Sequence, residues 1–183
     1  MIKLRQPSLV LHSCDVPGYK YIMSTSWVMS RGATAGNVVS WINMAIQSSP
    51  ELYLNNVVIN CHGSPGAIHV GGCGDGGRAI YAGHTGVFKG VKRGSLGTIY
   101  IVACEVSQDP DGNDWGTEFC RQLAINAGCF VVAANKIQSV DWWFDNINHP
   151  YGCIDDYEGV VSEFSPSGSH KPWNPGDATG TSG

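Results

Sequence analysis

The chain has 183 residues, 11 Lys and Arg against 15 Asp and Glu for a formal net charge of −4, and seven cysteines. This length supports one domain that buries about two thirds of the surface its unfolded form exposes, with no need of disulfides. The basic residues are scattered, which argues against a nucleic-acid surface. The apolar runs fall far short of the roughly 20 residues a membrane helix needs, so no membrane span is expected. The N-terminal MIKLRQPSLVLHSC starts basic but has only a short apolar stretch, and no secretory signal peptide is expected of it. An odd cysteine count with no CxxC points to a reducing compartment. The expected location is therefore cytoplasmic, and export without a cleavable signal peptide would leave the same signature.

In chain order, SLVLHS (8–13) and YKYIMSTSW (19–27) read as extended segments separated by the turn-forming Asp15-Val16-Pro17-Gly18. From Thr34 to Ser49, Val38, Ile42, Ala45 and Ile46 fall at helical spacing, and Pro50 ends the pattern. Leu54 to Cys61 is an apolar run that suits a strand buried on both faces of a parallel sheet. Residues 63–97 are glycine-rich, with AIHV and RAIYA as a possible hairpin and a weak helical stretch from Thr85 to Lys92. Thr98 to Ala103 is the next buried strand. Trp115 to Ala127 carries Phe119, Cys120, Leu123, Ala124 and Ala127 at helical spacing and closes on Gly128, and Cys129 to Ala134 is a third buried strand. This alternation predicts a three-layer α/β/α sandwich with a mostly parallel sheet. Further on, WWFDNINHPYG and EGVVSEFSPSG, separated by the acidic CIDDY, suggest a C-terminal β-hairpin over about 137–166, with 168–183 as a loose tail. Residues 1–167 would then form one domain.

Two of the buried strands stop on reactive side chains: VVINCHG ends on His62 and TIYIVACE on Cys104. In open α/β sheets such groups meet where parallel strands end. A thiol attacks carbonyls as thiolate, and a nearby imidazole lowers its pKa and later protonates a leaving amine. Gly63 leaves room for a carbonyl to approach backbone N–H groups, so the amides of Gly63 and Cys104 are candidate oxyanion donors. Cys61 alternates to the other side of the strand and reads as core. Asn60 shares the His62 side of a regular strand and is a candidate to orient it, or a polar strand end.

An apolar strand ending in His-Gly, followed some residues later by one ending in Ala-Cys, resembles the layout of the caspase-like (clan CD) cysteine peptidases. These comprise caspases, legumains, gingipains, separases and bacterial CHAT domains. VVINCHG, IYIVACE and GTEFCRQLAINAGCFVVAAN carry the likeness, which spans about residues 20–135 and in its Ala-Cys-Glu triplet is nearest the CHAT pattern. The resemblance implies a cysteine endopeptidase with His62 as general acid/base and Cys104 as nucleophile. It implies a peptide or protein substrate, no cofactor, and a possible regulatory protein partner. It also places Glu105 and Asp114 where a specificity pocket would form. Val102 and Glu105-Val106 depart from the caspase pattern around the nucleophile. A silent caspase-like interaction module, such as a bacterial secreted effector binding a host or partner protein, is the alternative.

The remaining motifs carry less. Glu105, Asp109, Asp111 and Asp114 invite a basic substrate side chain, although a solvated acidic loop has the same composition. His12, Cys14, Cys61, His62, His69 and Cys73 include metal-ligand types but lack compact ligand spacing, so no metal is expected. Gly72-Cys73-Gly74-Asp75-Gly76-Gly77 satisfies G-x-G-x-x-G in letters only, because no helical pattern follows it. Trp142, Trp143 and Phe144 read as a hydrophobic anchor of the hairpin rather than a recognition patch.

Overall fold

The structure is a computed structural model and describes residues 1–16, 21–72, 79–138 and 149–179. The chain begins with β1 (Ile2–Lys3), β2 (Ser8–His12) and β3 (Thr25–Val28), followed by α1 (Ala35–Ser48) and β4 (Leu54–Asn60). Three short strands come next, β5 (His62–Ser64), β6 (Ala67–His69) and β7 (Ala79–Tyr81), then a 3₁₀ segment over Ala82–Gly90. After them come β8 (Leu96–Val102), α2 (Trp115–Ala127), β9 (Phe130–Ala134), β10 (Cys153–Ile154), β11 (Val161–Phe164) and β12 (His170–Pro172).

Both α-helices form where the spacing of apolar residues places them. At the start of α1, the Asn37 N–H donates to Thr34 Oγ1 and the Thr34 N–H donates to Asn37 Oδ1, a reciprocal cap of two otherwise unpaired amides. Its inner face buries Val38, Ile42, Ala45 and Ile46, the Val and Ile side chains each contributing on the order of 1.5–3 kcal/mol. α2 buries Phe119, Cys120, Leu123 and Ala124 and stops at Gly128, whose N–H donates to the Ala124 carbonyl.

The main sheet has the order β12-β11-β9-β8-β4-β2-β3, with β3, β2, β4, β8 and β9 mutually parallel, β11 antiparallel to β9, and β12 antiparallel to β11. The register sets His12 level with Asn60, and Asn60 level with Val102, at the carboxyl edge. From β2 the chain moves outward to β3, whereas from β4 it moves the other way to β8. The crevice above β2 and β4 is therefore the switch point at which open α/β sheets bind ligands.

Strand alternation divides the core into two. Leu9, Leu11, Val57, Ile59, Ile99 and Ile101 face a cluster built with α1, α2 and Phe88 of the 3₁₀ segment. Val10, Val58, Tyr100 and Val132 face Ile2, Leu4, Tyr21, Ile154 and Trp173. The expected α/β/α layering is corrected here: among the described residues both α-helices pack on one face. The other is covered by the β1–β10 pair and by chain from the two ends. A sheet needs both faces covered by apolar matter, and short pieces serve as well as helices.

Of the expected C-terminal hairpin, the first arm, WWFDNINHPYG, lies mostly outside the described residues, and the second, EGVVSEFSPSG, contains β11, which pairs with β12 beyond it. β11 also extends the main sheet by pairing with β9. The segment expected to be loose from Gly168 onward contains β12 and the buried Trp173. Trp142, Trp143 and Phe144 lie outside the described residues, as do Cys73 to Gly77 of the glycine-rich motif.

Candidate active site

β4 ends at Asn60, and the Cys61 N–H donates to the Val102 carbonyl, holding the ends of β4 and β8 together. The Cys61 side chain is buried in the helical-face core, as its alternation predicts. The chain then turns into β5, which pairs with β6 across Pro65-Gly66. Pro65 supplies the fixed φ of the first turn position and Gly66, with φ of 72°, the left-handed second one. The Gly66 N–H donates to the Val106 carbonyl, so this hairpin is tied to the loop that follows β8.

His62 is the first residue of β5 rather than the last of β4, and its ring is about one-third exposed, at 35%. Its Nε2 lies 3.2 Å from the Asp15 carbonyl oxygen and 3.9 Å from Asp15 Oδ1. A carbonyl only accepts, so in this arrangement Nε2 carries the proton. Asp15 is itself held by the Ser13 hydroxyl, which donates to Oδ1 at 2.6 Å. Across the β5–β6 pair stands His69, whose Nε2 is 3.3 Å from Ser64 Oγ. Burial holds the His69 pKa below the ordinary histidine value, the neighbouring His62 adds to this, and Asp15 opposes it.

Cys104 follows β8 by two residues and is half-buried. Glu105 then adopts a positive φ of 57° and donates its N–H to the Lys136 carbonyl, which turns the chain sharply just past the thiol. The Cys104 thiol approaches the Gln138 carbonyl at 3.8 Å. Gln138 is clamped to the opposite wall: its Nε2 donates to the Glu158 carbonyl, and its Oε1 accepts the Glu158 N–H.

Between these pieces lies a cleft of about 90 Å³. His62, Ala103 and Cys104 line it, together with Tyr21, Gln138 and Asp155 to Glu158. The two sequence-predicted reactive groups therefore share one cleft, although no hydrogen bond joins the His62 ring to the Cys104 thiol. Gly63 is pressed against the loop that carries Cys104: a Cβ there would sit 2.5 Å from the Cys104 carbonyl oxygen and 2.9 Å from Ala103 Cβ. Only glycine allows that approach. The two-residue turn makes Ser64 and Ala67 the hydrogen-bonded closing pair, so Gly63 and Ile68 are the next, non-bonded pair. The Gly63 N–H thus points away from β6. The Cys104 N–H has no hydrogen-bond acceptor among the described residues.

Asn60 does not orient His62, contrary to the sequence expectation. Its Nδ2 bonds His12 Nδ1 at 3.0 Å in the buried layer, because the register sets those two residues level and the bend at Cys61 breaks the period-two relation between Asn60 and His62. Glu105 and Asp114 do not line the cleft either. Asp114 is exposed and precedes α2, its carbonyl accepting the Glu118 N–H, while Asp109 caps that helix by accepting the Thr117 N–H at 2.9 Å. The acids on the cleft are Asp155, Asp156 and Glu158, foreshadowed in the sequence only by the acidic run CIDDYE.

Among the described residues, no three of His, Cys, Asp and Glu converge as metal ligands, and no helix is long and apolar enough to cross a membrane. No protein-family model matches the chain, and no curated protein matches it.

Proposed function

We propose that the protein is a thiol hydrolase, with Cys104 as nucleophile and His62 as its proton-transfer partner. More narrowly, we infer a caspase-like cysteine peptidase. The observation that carries this reading is the cleft at the carboxyl edge that His62 and Cys104 both line; Gly63 is not itself a lining residue but packs against the Cys104 carbonyl.

In the reaction, the Cys104 thiolate adds to a peptide carbonyl carbon, and the carbonyl electron pair moves onto oxygen. The resulting oxyanion is held by the Gly63 and Cys104 N–H groups. Collapse breaks the C–N bond, His62 gives its proton to the departing amine, and an S-acyl enzyme remains. Water then adds to the acyl carbon, giving a proton to His62, and the thiolate leaves as the carboxylic acid forms. A histidine that serves the leaving group has no need to touch the thiol at rest, which agrees with His62 Nε2 bonding the Asp15 carbonyl.

A second reading, a silent interaction module, is favoured by one observation: the His62 ring is already engaged by Asp15 and forms no bond to Cys104. The two readings separate by alkylation with limiting iodoacetamide across pH, mapped by mass spectrometry, on native protein and on His62→Ala. Cys14 is the internal standard, being exposed, whereas Cys61, Cys120, Cys129 and Cys153 are buried. Faster labelling of Cys104 than of Cys14 at neutral pH, lost in His62→Ala, is the expected outcome for the peptidase. Labelling of Cys104 no faster than Cys14 in both proteins would favour the module.

A further inference from the structure

We propose that the cleft selects a cationic side chain, lysine or arginine, at the residue whose carbonyl Cys104 attacks, with Asp155 as its principal acceptor. This inference rests on the peptidase reading and names the substrate class of the same site.

Charge distribution is the first support. Asp155, Asp156 and Glu158 all line the cleft that contains the thiol, and no lysine or arginine among the described residues does. Asp15 adds a fourth carboxylate behind His62. In a partly enclosed site, carboxylates attract an ammonium or guanidinium group and repel an acidic side chain.

The second support is the mounting of Asp155. Its Oδ2 accepts the Tyr21 hydroxyl at 3.0 Å, and its Oδ1 lies 2.8 Å from Nε2 of the buried His149. Tyr21 reaches it from the distant segment before β3 and His149 from the nearby segment before β10, so side chains from both fix one carboxylate on the cleft wall. A recognition group held in this way needs little reorganisation when substrate arrives. Glu158 is exposed and adds to the negative field, whereas the exposed Asp156 is paired with the Met1 ammonium at 2.6 Å and adds little. A cleft of about 90 Å³ holds several waters and so accommodates one extended side chain.

The experiment uses the full chain and peptidyl chloromethyl ketones that differ only in the residue next to the warhead: arginine, lysine, leucine or aspartate. Cys104 sulfur displaces chloride from the methylene carbon, and the rate of adduct formation is read by intact mass. The arginyl and lysyl probes are expected to label Cys104 at least tenfold faster than the leucyl probe, with the aspartyl probe slowest. Raised salt should narrow that ratio. Asp155→Asn is expected to reduce the arginyl-to-leucyl ratio to about twofold. Glu158→Gln, a change on an exposed side chain, is expected to reduce it less, and it keeps the test open if Asp155→Asn does not fold. A leucyl or aspartyl probe as fast as the arginyl one would overturn cationic selectivity and leave the peptidase reading standing. If iodoacetamide labels Cys104 and no peptidyl probe does, both readings fall.

Discussion

Replacing Gly63 by alanine probes the contact on which the geometry of the cleft depends. The added methyl would lie 2.5 Å from the Cys104 carbonyl oxygen, 2.7 Å from Val106 Cγ2 and 2.9 Å from Ala103 Cβ. None of these neighbours is the far end of a flexible side chain. The carbonyl belongs to the backbone, Ala103 and Val106 are buried, and the loop is tied on both sides by the Glu105 and Gly66 amides. Overpacking a tight site typically costs 1–3 kcal/mol, and the upper end, about 2–3 kcal/mol, is expected where backbone has to move. With a urea dependence of about 2 kcal/mol per molar, the unfolding midpoint should fall by roughly 1 M. The control is Gly86→Ala in the 3₁₀ segment, where an added Cβ meets nothing within 4 Å and φ is not positive. That change should be neutral or stabilise by up to about 1 kcal/mol through the unfolded state. Urea unfolding followed by tryptophan fluorescence checks both variants. A Gly63→Ala midpoint equal to that of wild type or Gly86→Ala would refute the close approach of β5 to the loop that carries Cys104.

Trp173, buried at 5% exposure in the core that faces away from the helices, should cost about 3–5 kcal/mol when replaced by alanine, measured as the same midpoint shift. A near-zero shift would return this segment to the loose tail that its composition suggests. Thr34→Ala removes the α1 cap and should cost about 1 kcal/mol, with Thr34→Ser retaining most of it. For His69, the folded pKa lies below the unfolded value of about 6.5, so between the two the unfolded chain binds more protons and stability rises with pH. Its contribution is complete above pH 6.5 and is lost as pH falls from there through the folded pKa. Urea midpoints of wild type and His69→Gln should therefore diverge progressively between pH 7.5 and 5.5, with the wild type losing more.

How much of this was legible in the sequence varies with how local the cause is. β4, β8 and β9 declare themselves because a strand buried on both faces must be apolar throughout, and α1 and α2 because one face of each must be. The second face of the sheet is different. It is covered by Ile2, Leu4, Tyr21, Met23, Ile154 and Trp173, six residues from four short segments that acquire a place only when the sheet exists to receive them. β12 was hidden for a related reason: His170, Lys171 and Pro172 are all exposed at the sheet edge, so no alternation marks them. β5 was missed because His-Gly-Ser has no strand signal, and its pairing depends on β6 across the Pro65-Gly66 turn.

The site follows the same rule. His62 and Cys104 could be brought together from sequence because neighbouring parallel strands of similar length end at one edge, and each residue is within two positions of such an end. Asp15, Tyr21 and Asp155 could not, since each stands on a loop whose path is decided by distant contacts. Asp155 is set by Tyr21 and His149, and Asp15 by its meeting with His62. Asn60 shows the converse error, a local inference overruled by register: level with His12 on the adjacent strand, it satisfies that buried imidazole instead. Reactive groups at strand ends are thus fixed by local pattern, while the groups that would choose a substrate come from loops. The packing around Cys104 and the acidic side of the cleft can consequently be perturbed separately, with Gly63→Ala acting on the first and Asp155→Asn on the second.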